Sequence, residues 1–336
     1  MLMKARTMNH KQKEDSAFRT RLLRYLAGHG IRTKRIERIR KNVFLIETLR
    51  GRYFFKGFSS KRKYELQKAL TFLLKGNGFT KTYSFLYNIP PLEDKGLYYG
   101  FIEYLPPHNE RFSFIHKENR DEGLLLLDGL HRISQKFAEN KSLRTMSRFD
   151  QIAKWTARLS EFELNTKVIE EFLPHAIIKK AVKDGRWALK GLKEQQSLLY
   201  NGPVVILHGD VAHHNFLRTE SGELYLIDWD LAAKGPAIFD YLQYANRILP
   251  FISFSSKELW SHKILKKYHD DLSFLYALAY PSDIYREWNR LIRENLLGSQ
   301  VHLHNVWRLT VEGFEQRAHF TKELEQRIRK LQTRKN

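Results

Sequence analysis

The first third of the chain alternates short apolar runs with turn residues, a pattern typical of a small sheet. Residues 43–48 and 52–58 are rich in β-branched and aromatic side chains, and the short segment 49–51 separates them. This pattern predicts a β-hairpin. A serine pair then offers N-caps for a helix over about residues 60–75, where glycines end it.

Another apolar run, residues 98–105, predicts a buried strand, and the two prolines that follow end it because proline supplies no backbone donor. Beyond this point the apolar positions recur at helical spacing. We therefore expect an α+β protein of two lobes, with a loose tail over 1–17, a small sheet and one main helix over 18–105, and a mostly helical lobe over 106–336. The predicted helices of the second lobe cover 122–136, 150–164, 168–199 with an interruption near Gly185, and most of 239–331 with breaks at Pro250, Pro281 and Gly298.

Composition agrees with a folded protein and narrows its class. The chain has 336 residues, of which 42% are hydrophobic and 13% aromatic, and it contains no cysteine. Disulfide scaffolds, thiolate nucleophiles and cysteine-based zinc sites are therefore excluded. The first 17 residues lack the apolar core of a signal peptide, and the longest aliphatic run, 124–127, is too short to span a bilayer. These features predict a cytoplasmic protein without a membrane segment.

The charge balance is strongly basic, with 58 Lys and Arg against 37 Asp and Glu and a formal net charge of +21. Such an excess attracts polyanions or an anionic surface, although a well-solvated surface explains it equally well. Basic clusters occur at 32–41 and 327–335, but neither carries the interleaved aromatic residues of a nucleic-acid site. Nucleic acid is therefore not the favoured partner.

The most informative motif is His208-Gly209-Asp210, followed by Asn215 and, at the end of a second apolar run, by Asp228. An acid, an amide five residues later and a second acid at a strand end are the groups that accept a hydroxyl proton and hold magnesium against nucleotide phosphates. The spacing therefore predicts a phosphotransferase site with Asp210 as the base. The alternative is that Asp210 only caps a turn.

These motifs resemble those of the aminoglycoside phosphotransferase and choline kinase family, which has a protein-kinase-like bilobal fold. The catalytic loop of that family is His-Gly-Asp followed by Asn, and its metal loop is Ile-Asp-Trp or Ile-Asp-Phe, as in residues 227–229 here. The resemblance implies ATP and Mg²⁺ as cofactors, with Asn215 and Asp228 as metal ligands. Within the family the chain looks most like kinase-like proteins associated with spore coats, which implies spore-coat proteins as further partners.

The resemblance also assigns supporting roles around the catalytic loop. It gives His208 a packing and hydrogen-bonding role, and it places Asp240 beneath the loop as a brace. Asp230 could join the metal shell, but hydrogen bonds within its loop are the favoured role. A further similarity is the stretch Leu130-His131-Arg132-Ile133-Ser134, which matches the Leu-His-x-x-Ser of the family.

Lys56 is the candidate for the lysine that reaches the nucleotide phosphates. It alternates with Phe54 and Phe58 along an aromatic strand, where an unpaired ammonium is costly. Glu65, in the helix that follows, has the position of the glutamate that fixes this lysine in kinases. The alternative is a lysine that extends to the surface beside an unrelated acid.

Three further positions concern the nucleotide. The resemblance places Glu103 and Leu105 at the hinge that meets the adenine, and Asn42 matches an asparagine that many family members carry at the start of the second strand. The loop that contains this asparagine, residues 38–43, has no glycine, so phosphate would be held there by charge rather than by close backbone approach. This departure favours a degenerate enzyme.

Two main functions follow. The first is an ATP- and magnesium-dependent kinase for a small-molecule hydroxyl; the charge of +21 favours a neutral or anionic acceptor, such as a sugar, over a cationic one. The only hint of a cation-binding patch is Asp283, Glu287 and Glu294 on a predicted helix over 282–297. The second function is a kinase-like spore-coat or binding protein with little or no turnover. The sequence does not decide between ATP and GTP.

Overall fold

The computed structural model describes residues 17–334, which form two compact units. The first unit contains residues up to Asn109 and two later segments, Glu139–Thr145 and Thr219–Ile227. The second contains Glu110–Ala138, Met146–Arg218 and the chain from Asp228 onward. The predicted tail over 1–17 lies outside the described residues except for its last member, Ala17, which begins the described part of a helix.

The first unit is built on a five-stranded antiparallel sheet. Its main elements are α1 (17–28), β1 (Thr33–Arg40), β2 (Val43–Thr48), β3 (Gly51–Phe58), α2 (Lys61–Gly76), β4 (Leu92–Asp94) and β5 (Leu97–Glu103). The strand order is β1-β2-β3-β5-β4. The predicted hairpin is confirmed, since Val43 pairs with Lys56 at one end of the β2–β3 ladder and Thr48 pairs with Gly51 at the other.

Both faces of this sheet carry aromatic side chains. On one face Phe55 packs with Tyr99 and Phe101, and Leu22 and Leu26 of α1 complete the cluster. The sequence patterns did not predict α1 or β4. On α2, Tyr64 packs against Phe58 and Phe85, and Ser60 begins the helix as predicted, because its hydroxyl accepts a hydrogen bond from the Lys63 amide at 3.2 Å.

The second unit is mostly helical, as predicted, and no described helix combines the length and the apolar character needed to cross a membrane. Its longer helices are α3 (Lys117–Ser134), α4 (Gln151–Leu164), α6 (His175–Glu194), α8 (Ile238–Ile248), α11 (Leu272–Ala279), α12 (Ser282–Arg293), α13 (Gln300–Val311) and α14 (Phe314–Thr333). Its shorter elements are α5 (Thr166–Ile169), α7 (Gln196–Tyr200), α9 (Ser256–Leu259), α10 (Lys263–Lys266), β6 (Val204–Leu207), β7 (Phe216–Arg218) and β9 (Ala233–Pro236). Strand β8 (Leu224–Leu226) belongs to the segment Thr219–Ile227 of the first unit.

One helix prediction was wrong in its position of interruption. Residues 168–199 do not break near Gly185, because α6 runs through that glycine; the chain leaves helical geometry at 170–174 instead. Gly185 serves close packing, since a Cβ atom there would lie 2.2 Å from the Tyr285 hydroxyl, which donates a hydrogen bond to the Ala181 carbonyl at 2.6 Å. Likewise, α12 ends at Arg293 rather than near residue 297.

Candidate active site

The candidate catalytic loop, which carries His208, Gly209 and Asp210, begins where β6 ends. β6 pairs antiparallel with β9, and Val205 to Leu207 are buried, so the strand fixes the start of the loop within the core of the second unit. Gly209 has φ +76, and a Cβ atom there would lie 2.1 Å from the Leu231 carbonyl oxygen. The middle residue of His-Gly-Asp must therefore be glycine, for both its backbone conformation and its close approach.

Asp240, at the start of α8, supports this loop from inside the core. Its carboxylate accepts hydrogen bonds from the amides of His208 at 2.7 Å and Gly209 at 3.0 Å, and from His131 Nε2 at 2.9 Å. Burial alone would raise the pKa of Asp240, but the His131 hydrogen bond and the neighbouring His208 outweigh it, and the pKa is lowered. The loop is therefore held by a buried, charged acceptor.

The polar residues of the Leu-His-x-x-Ser stretch on α3 contact Asp240 and the strand β6, which leads into the loop. Its histidine, His131, donates to Asp240, and its serine, Ser134, accepts a hydrogen bond from the amide of Ile206 in β6 at 3.0 Å. Both polar side chains are buried. The motif thus supports the loop and the strand that leads into it.

His208 is fully buried and packs its ring 4.8 Å from that of Trp229. Its Nδ1 accepts a hydrogen bond from the Asp210 amide at 3.3 Å. Gln243 of α8 was not singled out from the sequence, yet its amide group donates to the Gly209 carbonyl at 3.0 Å and accepts from the Val211 amide at 2.7 Å. The backbone on both sides of Asp210 is therefore fixed by side chains.

Asp210 itself contacts one predicted and one unexpected partner. Asn215 Nδ2 donates to the Asp210 carbonyl at 2.8 Å and to its Oδ2 at 3.2 Å. Arg247 Nη2, from α8, lies 3.1 Å from Asp210 Oδ1. Burial and the charge of Arg286 lower the pKa of Arg247, and Asp210 opposes that shift. Asp210 is thus oriented by an amide on one oxygen and by a guanidinium on the other.

The residues present fit a magnesium ion by the chemistry of their donors. Asn215 uses its Nδ2 as a donor to Asp210, which leaves its Oδ1 as the atom for a metal. Asp228 is half-buried and has a left-handed backbone, φ 69 and ψ 73. Strained conformations of this kind are concentrated at functional sites. Magnesium commonly takes one or two protein oxygens together with substrate phosphates and water.

The remaining candidate metal ligands near the loop are Asp230 and two histidines. Asp230 lies in a short 3₁₀ helix, Trp229–Leu231, and is exposed. Within 17–334, no group of three or more His, Asp and Glu side chains is placed to hold a metal ion. His213 and His214 are both exposed.

A pocket of about 250 Å³ lies beside Asp210, entirely within the second unit. Residues of α4, α8 and α12 line it together with the catalytic loop. Four of the lining side chains are basic, namely Lys154, Arg158, Arg247 and Arg286. The wall next to the candidate base is therefore rich in positive charge.

The predicted acidic patch on α12 is not available to a cation. Asp283 accepts two hydrogen bonds from Arg317, at 3.0 and 2.7 Å. Glu287 pairs with both Arg286 and Arg290, each at 2.7 Å. The third acid, Glu294, lies one residue beyond the end of the helix and is exposed. Arginines thus neutralise the two acids that the helix itself carries.

In the first unit, Lys56 lies on β3 opposite Val43 and is half-buried. Its Nζ is 5.5 Å from the centre of the Phe58 ring. Glu65, its predicted partner, is exposed on α2. This pairing stays a prediction.

Asn42 occupies the two-residue turn between β1 and β2, and its carbonyl accepts a hydrogen bond from the Gly57 amide at 2.8 Å. The glycine-free turn is stabilised by Arg38, whose Nη2 donates to the Lys41 carbonyl at 3.0 Å and whose Nε donates to the Arg40 carbonyl at 3.4 Å. The register of β2 and β3 places this turn and Lys56 at the same end of the sheet. A side chain thus shapes the turn that lacks glycine.

Glu103 ends β5, and its carboxylate is already engaged. Its Oε2 accepts from Lys75 Nζ at 3.0 Å and from the Ser84 amide at 2.9 Å, while its own amide donates to the Ser84 carbonyl at 2.8 Å. Leu105 follows the strand and is half-buried. The acid that α2 reaches through Lys75 is therefore Glu103, and the hinge role of Glu103 and Leu105 stays a prediction.

The model of a phosphotransferase enzyme family matches residues 3–256. An aminoglycoside phosphotransferase from Alicyclobacillus acidocaldarius subsp. acidocaldarius DSM 446 superposes with a TM-score of 0.66 at 16% identity, over 88% of this chain and 93% of that one. A choline kinase from Streptococcus pneumoniae gives 0.52 at 18% identity, over 88% and 98%.

A third solved structure, amicoumacin kinase in complex with AMP-PNP, Ca²⁺ and Ami, gives a TM-score of 0.52 at 14% identity, over 88% of each chain. At these identities the likeness concerns the fold. The predicted kinase-like α+β fold, with a small antiparallel sheet followed by a mostly helical part, is confirmed.

Proposed function

The chain belongs to the phosphotransferase enzyme family, and from this premise we propose that it transfers the γ-phosphoryl group of ATP to a hydroxyl of a small molecule. The observation that carries the proposal is the geometry around Asp210. Its carboxylate and carbonyl are held by Asn215, and its backbone is fixed by Asp240 and Gln243 through their contacts with the loop. A pre-organised carboxylate beside a pocket is what a general base requires.

In the proposed reaction the acceptor hydroxyl enters the pocket and donates a hydrogen bond to the Asp210 carboxylate. As the new bond forms between the hydroxyl oxygen and the γ-phosphorus, the bond from phosphorus to the β-phosphate oxygen breaks and ADP leaves. The hydroxyl proton passes to Asp210. Arg247 holds the other carboxylate oxygen at 3.1 Å, so that rotation of the base is restricted.

Asn215 and Asp228 would hold magnesium, which supplies positive charge to the phosphate oxygens when bound. Lys56 would contact the phosphates with Glu65 as its proposed partner, and Asn42, Glu103 and Leu105 are the proposed nucleotide-binding positions. The acceptor is proposed to be neutral or anionic. A cytoplasmic location and association with a spore coat or another anionic surface are also proposals.

The test uses nucleotide binding and turnover on the same protein. Thermal shifts are measured with ATP and GTP, with and without Mg²⁺, and ADP release is measured in parallel. We expect Asp210→Asn to keep its ATP-induced shift and to reduce ADP release by roughly 10²-fold or more, the range for loss of a positioned base. Asp228→Ala should lose the part of the shift that depends on Mg²⁺, because phosphate charge is then less compensated.

Asp270→Asn is the matched control, since it removes one carboxylate from an exposed ion pair that is not part of the pocket lining and should leave both measurements unchanged. ADP release that is equal in wild type and Asp210→Asn would contradict the assignment of the base. Absence of any nucleotide-induced shift in wild type would contradict the kinase as a whole.

A kinase-like binding protein with little turnover is the second candidate. The observation that favours it is the glycine-free turn. Arg38 donates hydrogen bonds to the backbone carbonyls of Arg40 and Lys41, and no glycine allows close backbone approach to phosphate. This candidate predicts Mg-ATP binding with ADP release that does not exceed that of Asp210→Asn. The same experiment therefore separates the two functions.

A further inference from the structure

The pocket beside Asp210 is small and lies within one compact unit. Its volume of about 250 Å³ is slightly below the ~300–1,000 Å³ of typical small-molecule sites. Asp210 lines it together with side chains of α4, α8 and α12. An acceptor whose hydroxyl reaches Asp210 therefore has its remaining groups within reach of these helices.

Two of the lining cations lack a carboxylate partner. Lys154 and Arg158 lie one turn apart on α4, and neither forms an ion pair with a carboxylate of the part of the chain that the structure describes. The only hydrogen bond of the Arg158 guanidinium among these residues is a long one, 3.4 Å, to the Ser282 carbonyl. Most donors of this guanidinium are therefore available to a ligand.

Burial and neighbouring positive charge both disfavour the charged forms of these two side chains. Although Lys154 as a residue is exposed, the surroundings of its ammonium group and the charge of Arg158 lower its pKa to about 8, against an opposing effect of Asp210. Burial and the charge of Arg286 likewise lower the pKa of Arg158, against an opposing effect of Glu161. Cations whose charge is only partly compensated are stabilised when an anion binds among them.

The acids of the pocket are already neutralised. Both oxygens of Asp283 accept hydrogen bonds from Arg317, and Asp210 is paired with Arg247. A cationic acceptor would therefore meet Lys154 and Arg158 without finding a free carboxylate apart from the base itself. The charge of the pocket selects against such a compound.

Resting on the proposed function, we propose that the acceptor is an anionic hydroxyl compound, whose carboxylate or phosphate group binds Arg158, Lys154 and Arg286 while its hydroxyl lies at Asp210. A guanidinium presents paired N–H donors that match the oxygens of a carboxylate or phosphate. The Nε of Arg286 donates a hydrogen bond to Glu287 Oε1 at 2.7 Å, so its Nη groups are the donors for the ligand.

Protection of Lys154 from acetylation tests the proposal without the natural acceptor. The protein, saturated with Mg-AMP-PNP, is treated with a limiting amount of an N-hydroxysuccinimide acetate, and acetylation of Lys154 is followed by peptide mass spectrometry. The probes share one sugar ring and differ in charge: glucose, glucosamine, glucuronate and glucose 6-phosphate. Exposed Lys190 on α6 is the internal reference.

Glucuronate or glucose 6-phosphate should slow acetylation of Lys154 by roughly threefold, the factor 1 + [L]/Kd at a concentration about twice Kd. Glucose and glucosamine should leave it unchanged, and Lys190 should respond to none of them. A response to glucuronate alone or to glucose 6-phosphate alone identifies which oxyanion the pocket prefers. Arg158→Gln should abolish protection, Arg158→Lys should retain part of it, and Arg308→Gln, at an exposed ion pair on α13, should retain all of it.

The proposal is overturned if no anion protects Lys154, if glucosamine protects it equally, or if Arg158→Gln keeps full protection. It is also overturned if Mg-AMP-PNP alone blocks acetylation completely, because the cations then serve the nucleotide. None of these results alters the thermal shift with Mg-ATP or the effect of Asp210→Asn, so failure here is distinct from failure of the proposed kinase.

Discussion

Replacing Asp240 by asparagine isolates the support of the catalytic loop from the chemistry of the loop. The carboxylate accepts three hydrogen bonds, with His208 N and His131 Nε2 on Oδ2 and Gly209 N on Oδ1. An amide has one acceptor oxygen and one donor group. Asparagine at this position can keep the two bonds on one side and must then direct its NH₂ at the Gly209 amide.

The cost follows from this count. One hydrogen bond to a charged group, worth about 1.5–3 kcal/mol, is lost, and the bonds that remain lose their charge assistance. We therefore expect Asp240→Asn to lower the free energy of unfolding by about 3–5 kcal/mol, the range for breaking a buried charged pair from one side. At roughly 2–4 °C per kcal/mol, Tm should fall by about 6–20 °C.

The assay is denaturant unfolding of wild type and Asp240→Asn, with amide hydrogen exchange at Gly209 and His208. Asp270→Asn is again the control, because its partner Arg327 is at the surface and exposed pairs contribute about 0–1 kcal/mol. The folded-state pKa of Asp240 is lowered, so its stabilisation is present above the unfolded value near 4 and is lost as pH falls through the folded value. Wild type should therefore lose its advantage over Asp240→Asn in acid. A loss of stability below about 1 kcal/mol, with unchanged exchange at Gly209, would refute this account.

Two further predictions follow from single positions. Gly209→Ala should lower the free energy of unfolding by more than ~2 kcal/mol and reduce ADP release, because it adds a left-handed backbone penalty to a clash with the Leu231 carbonyl. Gly129→Ala in α3, where a Cβ would meet nothing within 4 Å, should instead stabilise the protein by up to ~1 kcal/mol. Equal effects of the two substitutions in denaturant unfolding would contradict the close contact at Gly209. The acetylation rate of Lys154 should titrate with a midpoint near pH 8, and glucuronate should raise that midpoint because a bound anion favours the ammonium form; a midpoint near that of an ordinary lysine would contradict the crowded site.

The sequence allowed the catalytic loop to be predicted because its determinants are local. Asp210 and Asn215 lie in one loop and contact each other directly, so a fixed spacing of five residues is a reliable signal. Asp228 follows a strand end, and its left-handed backbone is a conformation that aspartate tolerates better than most residues. Residue types and spacing were sufficient to select these residues, whose catalytic and metal-binding roles stay predictions.

Arg247 and Gln243 were missed although a signal was present. Asp240, Gln243 and Arg247 are spaced i, i+3 and i+7 along α8, which places all three polar side chains on one face of a helix that is otherwise largely buried. Each contacts the catalytic loop, Asp240 at the amides, Gln243 at the backbone on both sides of Asp210, and Arg247 at the carboxylate. A polar stripe on a largely buried helix therefore predicts contacts with a neighbouring functional loop, as the motif itself does.

Other contacts had no local signal. Lys75 and Glu103 are 28 residues apart and meet only because α2 packs beside the strand that ends at Glu103. Two segments beyond residue 109 also join the first unit, which no pattern along the chain indicates. Long-range pairing of this kind depends on the tertiary fold. Helix 17–28 is different, because Phe18, Leu22, Tyr25 and Leu26 recur at helical spacing and pack in one cluster, so a local signal was present there.

The net charge of +21 and the charge of the pocket are separate arguments that reach compatible conclusions. The total charge describes attraction at a distance, which salt screens within about 10 Å at 0.1 M ionic strength. The charge that the pocket presents to an acceptor depends on individual ion pairs. Arg317 pairs with Asp283 and Arg247 pairs with Asp210, whereas Lys154 and Arg158 of α4 have no carboxylate partner among the residues described. Because Lys154 and Arg158 line the pocket beside Asp210, whereas distant surface charges are screened, the selection of an acceptor rests on these two side chains rather than on the many charges of the surface.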